Sequence, residues 1–245
     1  MSKVIVITGA GVGLGRALAR RFASKGDQIV LLGRTLSKVE AAAAEIGAAA
    51  MAVRCDVGNP DSVREAFAAI AERHAKIDIL INNAAIFEPF LLQNATDAQI
   101  FNAITTNLAG PMFTIRAAIP AMGDGSHIFN ITSESVGMDF PHLSVYQASK
   151  AGVERLSKSM DTELEAQGIR VTNVRAGQMY EEGKVWEANP EDQMAFAKAA
   201  MERGLNLRER PTSQFDSVVD AFCALVDLPA DLHADAISLH GRKPQ

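Results

Sequence analysis

The chain has 245 residues, 48% of them apolar and 22% charged, which suits one large α/β domain or two small ones with a sizeable core. A net charge of −5 with no basic stripe argues against a nucleic-acid partner. No apolar stretch approaches the roughly 20 residues that span a bilayer, and Val4–Ile7 is too short for a signal-peptide core, so a cytoplasmic protein is expected.

The first strand is predicted over Lys3–Thr8 and runs straight into Thr8-Gly9-Ala10-Gly11-Val12-Gly13-Leu14-Gly15-Arg16. Glycines placed between a strand and a helix let the backbone turn tightly and approach a pyrophosphate. The unpaired N–H groups of the helix start then face its charge. The helix is predicted over Gly13–Lys25, with Leu14, Leu18 and Phe22 on one face. The second strand, Gln28–Gly33, ends in Gly33-Arg34-Thr35. A carboxylate at this strand end holds a ribose 2′-hydroxyl, whereas a guanidinium pairs with a 2′-phosphate, so Gly33 with Arg34 predicts NADP(H) in preference to NAD(H).

A helix over Ser37–Ile46, a strand over Met51–Cys55, a helix over Pro60–His74 and a strand over Ile77–Ile81 follow. Asp56 and Val57 close the third strand, and Asn82-Asn83-Ala84-Ala85 closes the fourth, at the strand ends that form the ligand crevice of such sheets. Asn107 interrupts an otherwise apolar helical pattern over Asp97–Ala121. The fifth strand, Ser126–Thr132, closes on Ser133, with Ser135 the weaker candidate for a hydroxyl that orients a substrate oxygen. Thirteen residues on, Tyr146-Gln147-Ala148-Ser149-Lys150 opens the helical pattern Ser144–Gln167 and sets Tyr146 and Lys150 one turn apart on one face. A phenol of pKa about 10 is a poor acid/base at neutral pH. A neighbouring ammonium and the positive charge of an oxidised nicotinamide are expected to lower it.

The sixth strand is predicted over Arg170–Val174, the last helix over Ser213–Asp227 and the last strand over Ala236–His240. The mostly polar segment of about 178–212 breaks the alternation and reads as a substrate lid. Met179, Tyr180 and Trp186 there, with Phe87, Phe90 and Leu91 after the fourth strand, suit a hydrophobic or aromatic ketone. Acidic Glu88, Glu134, Glu181 and Glu182 would disfavour an anionic one. Cys55 and Cys223 read as reduced core thiols, and the five histidines show no metal-ligand spacing. The regular alternation predicts a doubly wound parallel sheet of about seven strands with helices on both faces, in one domain spanning 1–245.

Thr8-Gly9-x-x-x-Gly13-x-Gly15, Asp56, Asn82-Asn83-Ala84, Asn107, Ser133 and Tyr146-x-x-x-Lys150, in that order and spacing, resemble the short-chain dehydrogenase/reductase family. The resemblance implies that Ser133 polarises a carbonyl, Tyr146 exchanges the proton, Lys150 binds the nicotinamide ribose and lowers the tyrosine pKa, and Asn107 holds a water linking Lys150 to solvent. It also implies that Asp56 contacts the adenine and Asn83 supports the cofactor side. The expected cofactor site is then Gly9, Gly11, Val12, Gly13, Leu14, Gly33, Arg34, Thr35, Asp56, Val57, Asn83, Ala84, Ala85, Tyr146, Lys150, Ala176, Gly177 and Met179. Phe87, Ser135, Tyr180 and Trp186 are expected at the substrate.

A homo-oligomer, tetramer or dimer, built on the helices of Asn107 and Tyr146 is further implied. The chain departs from the family where Ala84-Ala85 replaces a motif ending in glycine, Ala176 replaces proline, Tyr180 stands near the place of a carboxamide-binding threonine, and Leu239-His240-Gly241-Arg242 replaces Asp-Gly-Gly. Val12 occupies a loop position that is basic in some NADP-preferring members. The expected reaction is reduction of a ketone or oxidation of a secondary alcohol. A 3-oxoacyl thioester reductase and a non-catalytic NADP(H) sensor are the alternatives.

Overall fold

The structure, a computed structural model, describes residues 2–180, 189–229 and 231–242, Tyr180 by its backbone alone. Seven parallel strands form one sheet: β1 (Val4–Thr8), β2 (Gln28–Gly33), β3 (Ala50–Arg54), β4 (Ile79–Asn82), β5 (His127–Ser133), β6 (Arg170–Ala176) and β9 (Ala236–Leu239). Their order is β3-β2-β1-β4-β5-β6-β9. The order reverses between β1 and β4, which opens a crevice at the carboxyl ends of the strands.

Side-chain alternation builds the two layers. Ile5, Ile7, Ile29, Leu31, Ile79 and Ile81 point to one face and pack with α1 (Gly13–Ser24), α2 (Leu36–Ile46) and α8 (Phe215–Val226). Val6, Val30, Leu32 and Leu80 point to the other, against α3 (Pro60–Ala71), α5 (Gly110–Ala118) and α6 (Ser144–Leu164). Strands buried on both faces read as continuous apolar runs, which is why the pattern identifies them directly. Burying one such side chain stabilises by roughly 1.5–3 kcal/mol.

Three predicted elements need correction. The single helix over Asp97–Ala121 is α4 (Asp97–Ile104), a π-turn over Thr105–Ala109, α5, and a 3-10 turn over Ile119–Ala121. Pro111 is accommodated in the first turn of α5, where its missing N–H costs nothing. The last helix begins at Phe215, not Ser213, because Ser213–Gln214 (β8) pairs with Met179–Tyr180 (β7) instead. The segment of about 178–212, for which no element was predicted, contains α7 (Pro190–Glu202), started by Asn189, whose side chain accepts from the N–H of Glu191 at 2.9 Å. Smaller shifts occur at the fourth strand, where the N–H of Ile77 bonds the carbonyl of Ala121 and the ladder begins at Ile79. No described helix is long and apolar enough to cross a membrane.

Candidate active site

Because all seven strands run parallel, Thr8, Gly33, Asn82, Ser133 and Ala176 stand along one edge of the sheet. Gly9 adopts φ +65°, and a Cβ there would lie 2.9 Å from the Cα of Ala84. A Cβ on Gly15 would meet Asn83 Nδ2 and the Gly9 carbonyl, each at 2.6 Å. Asn83 explains the tightness. Its Nδ2 donates to the carbonyls of Thr8 (2.9 Å) and Gly9 (3.2 Å), and Thr8 Oγ1 accepts from the N–H groups of Asn83 (3.0 Å) and Ala84 (2.9 Å). The loop is thus stapled to β4. Helix α1 then starts at Val12 without a side-chain cap or an acidic residue in its first turn. An uncapped helix N-terminus beside close-packed glycine backbone is a cradle for a phosphate.

At the end of β2, a Cβ on Gly33 would stand 2.7 Å from Cγ1 of Val39. The space that a carboxylate side chain would take is filled by α2. Arg34 and Thr35 are exposed beside it. Gly11 lies against Lys38, where an added Cβ would be 2.9 Å from Lys38 Cβ, so a second basic side chain stands at the loop. Sequence reading missed Lys38, since only the α2 packing brings it there. Asp56 is half-buried and its Oδ1 accepts from the N–H of Gly58 at 3.0 Å, which shapes the turn after β3 with Val57 buried beneath it.

The Ser133 hydroxyl acts on the Tyr146 phenol and favours its ionised form. Ser133 ends β5, and its Oγ accepts from the N–H of Ser135 at 3.2 Å. Tyr146 lies in the first turn of α6, and Lys150, one turn on, is buried, its Nζ donating to the Ile131 carbonyl at 2.8 Å. Burial works against the lowering of the phenol expected from Lys150. Burial pushes Tyr146 up to about 12, only partly offset by its bond to Ser133, and burial pulls Lys150 down to about 8. Removing water disfavours each charged form.

Asn107 is fixed by hydrogen bonds of its own side chain. Its side chain is fully buried and committed: Oδ1 accepts from the N–H of Ile86 (2.8 Å), while Nδ2 donates to the Ile86 carbonyl (2.9 Å) and to Ser149 Oγ (3.3 Å). It therefore clamps the chain after β4 onto α6.

Phe87 meets the Tyr146 ring edge-on, with centroids 4.9 Å apart. Phe87 in turn contacts Phe196 of α7 (6.3 Å), and Phe196 contacts Phe140 (5.9 Å). Arg210 places its guanidinium 5.4 Å from the Phe140 ring centre and pairs with Glu134 at 2.5 Å. Phe140, Arg210 and Gln147 escaped the sequence reading. Gln147 donates to the Ser135 carbonyl (2.5 Å) and to that of Met138. No local pattern couples residues this distant in the chain.

Of the other candidates, the Ser135 hydroxyl is buried with no partner among the described residues. Gly177 is needed for close approach, since a Cβ would lie 2.9 Å from the Leu239 carbonyl. Its N–H donates to that carbonyl at 2.7 Å, beside Ala176, which pairs with Leu239. Met179 packs against the apolar layer of α8. Ala85 follows the Thr8–Ala84 staple. Trp186, Glu181, Glu182 and the Tyr180 side chain lie outside the described residues.

Comparison with known proteins agrees with this geometry. The sequence model of the family described as short chain dehydrogenase matches residues 3–190. Galactitol 2-dehydrogenase of Agrobacterium fabrum (strain C58) is 32% identical over 76% of this chain and 73% of that protein. An NADP-dependent 3-hydroxy acid dehydrogenase of Salmonella typhimurium is 31% identical over 71% of each. The crystal structure of a short-chain dehydrogenase from Streptomyces avermitilis superposes with a TM-score of 0.86 at 24% identity, over 98% of this chain and 89% of that one.

Proposed function

This chain belongs to the short chain dehydrogenase family, an oxidoreductase group that uses a nicotinamide cofactor, and on that premise we propose that it is an NADP(H)-dependent enzyme interconverting a ketone and a secondary alcohol. The observation that carries the reading is the Ser133–Tyr146 hydroxyl pair, backed by buried Lys150, on the same sheet edge as the uncapped, glycine-walled start of α1.

A nicotinamide bound along that edge would supply or accept the hydride. The chain's own residues do the rest. Gly9, Gly11, Val12, Gly13 and Leu14 take the pyrophosphate. Arg34, with Thr35 and Lys38, takes a 2′-phosphate, because Val39 leaves no room for a carboxylate at position 33. Asp56, Val57, Asn83, Ala84, Ala85, Ala176, Gly177 and Met179 line the remainder. Ser133 donates to the substrate oxygen and polarises it. Tyr146 gives its proton to the developing alkoxide. A phenol held near pKa 12 is fully protonated at neutral pH, so it is loaded for reduction. Lys150 lies buried one turn away, and positive charge from it and from an oxidised nicotinamide favours the phenolate for alcohol oxidation.

Phe87 against the Tyr146 ring, with Phe196 behind it, suits an apolar or ring-bearing ketone, with Ser135 as a further contact. Phe101, 69% exposed on α4, and Met112 on α5 fit a homo-oligomer, tetramer or dimer, built on those helices. Purified protein with NADPH and a panel of ketones tests the reading through loss of reduced-nicotinamide absorbance. Turnover of apolar ketones, faster with NADPH than NADH, is expected. Turnover confined to acyl thioesters would make it a 3-oxoacyl thioester reductase, and binding without turnover would make it a sensor.

A further inference from the structure

Glu134 directly follows Ser133, and its Oε1 is a junction. It accepts from Arg210 Nη2 at 2.5 Å and from the N–H of Gln178 at 3.2 Å. One carboxylate oxygen therefore ties together the end of β5, the exit of β6 and the segment that follows α7. Gln178 reinforces the tie, its Nε2 donating to the Leu207 carbonyl at 3.3 Å and its own carbonyl accepting from the Ser213 N–H at 2.9 Å.

Arg210 has further contacts. Its Nη1 lies 2.9 Å from the sulfur of Met138, and its guanidinium sits over Phe140. Phe140 leads through Phe196 and Phe87 to the Tyr146 ring. The Tyr146 phenol in turn feels the hydroxyl of Ser133, which neighbours Glu134. The contacts close a circuit: Ser133, Tyr146, Phe87, Phe196, Phe140, Arg210, Glu134. Both arms of the circuit end on the reactive hydroxyls, and Arg210 is where they join.

The pair is largely withdrawn from water, with side chains 19% and 24% exposed. Breaking such a pair is more costly than breaking a rim pair, because the remaining charge is left without its partner. A guanidinium suits the junction, since its flat face covers a ring while its edge pairs a carboxylate.

We propose that Arg210 is a positioning residue, which clasps Glu134 to hold the Ser133 hydroxyl on Tyr146 and, through Phe140 and Phe196, seats α7 beside the phenol. Arg210 need not touch substrate. The proposal rests on the oxidoreductase reading above for its kinetic consequence but not for the clasp itself, so it is tested by two measurements on the full chain.

The first is amide hydrogen exchange without substrate. Arg210→Met and Glu134→Gln should each speed exchange in peptides covering 133–140 and α7, and leave β1, β2 and β3 unchanged. Unchanged exchange in both segments overturns the clasp, whether or not any ketone is turned over. The second is kinetics with NADPH and the best ketone of the panel. Arg210→Met should lower kcat about tenfold or more while the Kd for NADPH stays within about twofold, since a small misplacement of reacting groups is costly in rate. Arg210→Lys, which keeps a charge for Glu134 but no flat face for Phe140, should recover only part of that loss. The double variant Glu134→Gln/Arg210→Met should be no worse than the poorer single variant, as for two groups acting as one unit. A kcat within twofold of the parent in Arg210→Met, or additive losses in the double variant, overturns the positioning role. A parent protein that reduces nothing retires the functional reading, and exchange then decides the clasp alone.

Discussion

Val39 and Arg34 show how one residue's space decides another's chemistry. The methyl of Val39 fills the place beside Gly33 where an acidic side chain would reach a ribose, and exposed Arg34 is next along the chain. The Arg34→Ala variant should therefore lose NADPH affinity roughly tenfold to a hundredfold, in line with loss of a charge-assisted phosphate contact, and change NADH affinity little. Fluorescence titration of both cofactors checks this, and equal losses would place the phosphate elsewhere. Ser133, Tyr146 and Lys150 were legible because strand end and helix turn fix their spacing. Their protonation was not legible. Spacing sets the ammonium one turn from the phenol, but it does not show the burial that pushes the phenol's pKa up.

The break between α4 and α5 belongs to the scale of elements. A π-turn places Asn107 inward, where its amide makes three hydrogen bonds to Ile86 and Ser149. Apolar periodicity continued through this stretch, so the sequence read one helix, although Asn107 and Gly110-Pro111 marked the interruption. Asn107→Leu should cost about 2–4 kcal/mol, because the buried N–H and C=O of Ile86 lose their partners. Denaturant unfolding measures it, and a loss below about 0.5 kcal/mol would mean water replaces the amide. Helix α7 was missed for a different reason. Its apolar side chains, buried Phe196 and Ala200, form too narrow a stripe amid Glu191, Asp192 and Lys198, and its order comes from contacts with Phe87 and Phe140.

The whole molecule carries its chemistry on one edge of the sheet and a buried histidine near the other. His127 opens β5, its Nε2 lies 2.7 Å from Thr172 Oγ1, and Thr172 gives its own proton to the Ala234 carbonyl at 2.6 Å. Nε2 must then be the donor, and Nδ1 is buried with no partner among the described residues. Burial first, then Arg170 and His233, pull its pKa down to about 3. The folded state holds it neutral, while the unfolded chain protonates near 6.5. Its contribution is complete above about pH 6.5 and is lost as pH falls toward 3, by up to about 1.4 kcal/mol per pH unit. The midpoint of thermal unfolding should drop over that window, and His127→Gln should flatten the drop. An unchanged slope in the variant would assign the acid sensitivity to other groups. The parallel sheet of about seven strands and both helical layers were readable from alternation, since parallel strands buried on two faces admit few topologies. The circuit through Arg210 was not, because it joins residues 76 apart that share no pattern.

The account turns on Tyr146 as the group that exchanges the substrate's proton. The most direct measurement is the kcat of Tyr146→Phe for ketone reduction, alongside the NADPH Kd of the same variant. The account predicts a loss of about a thousandfold or more in kcat with NADPH bound as tightly as by the parent. A kcat within tenfold of the parent's would contradict it.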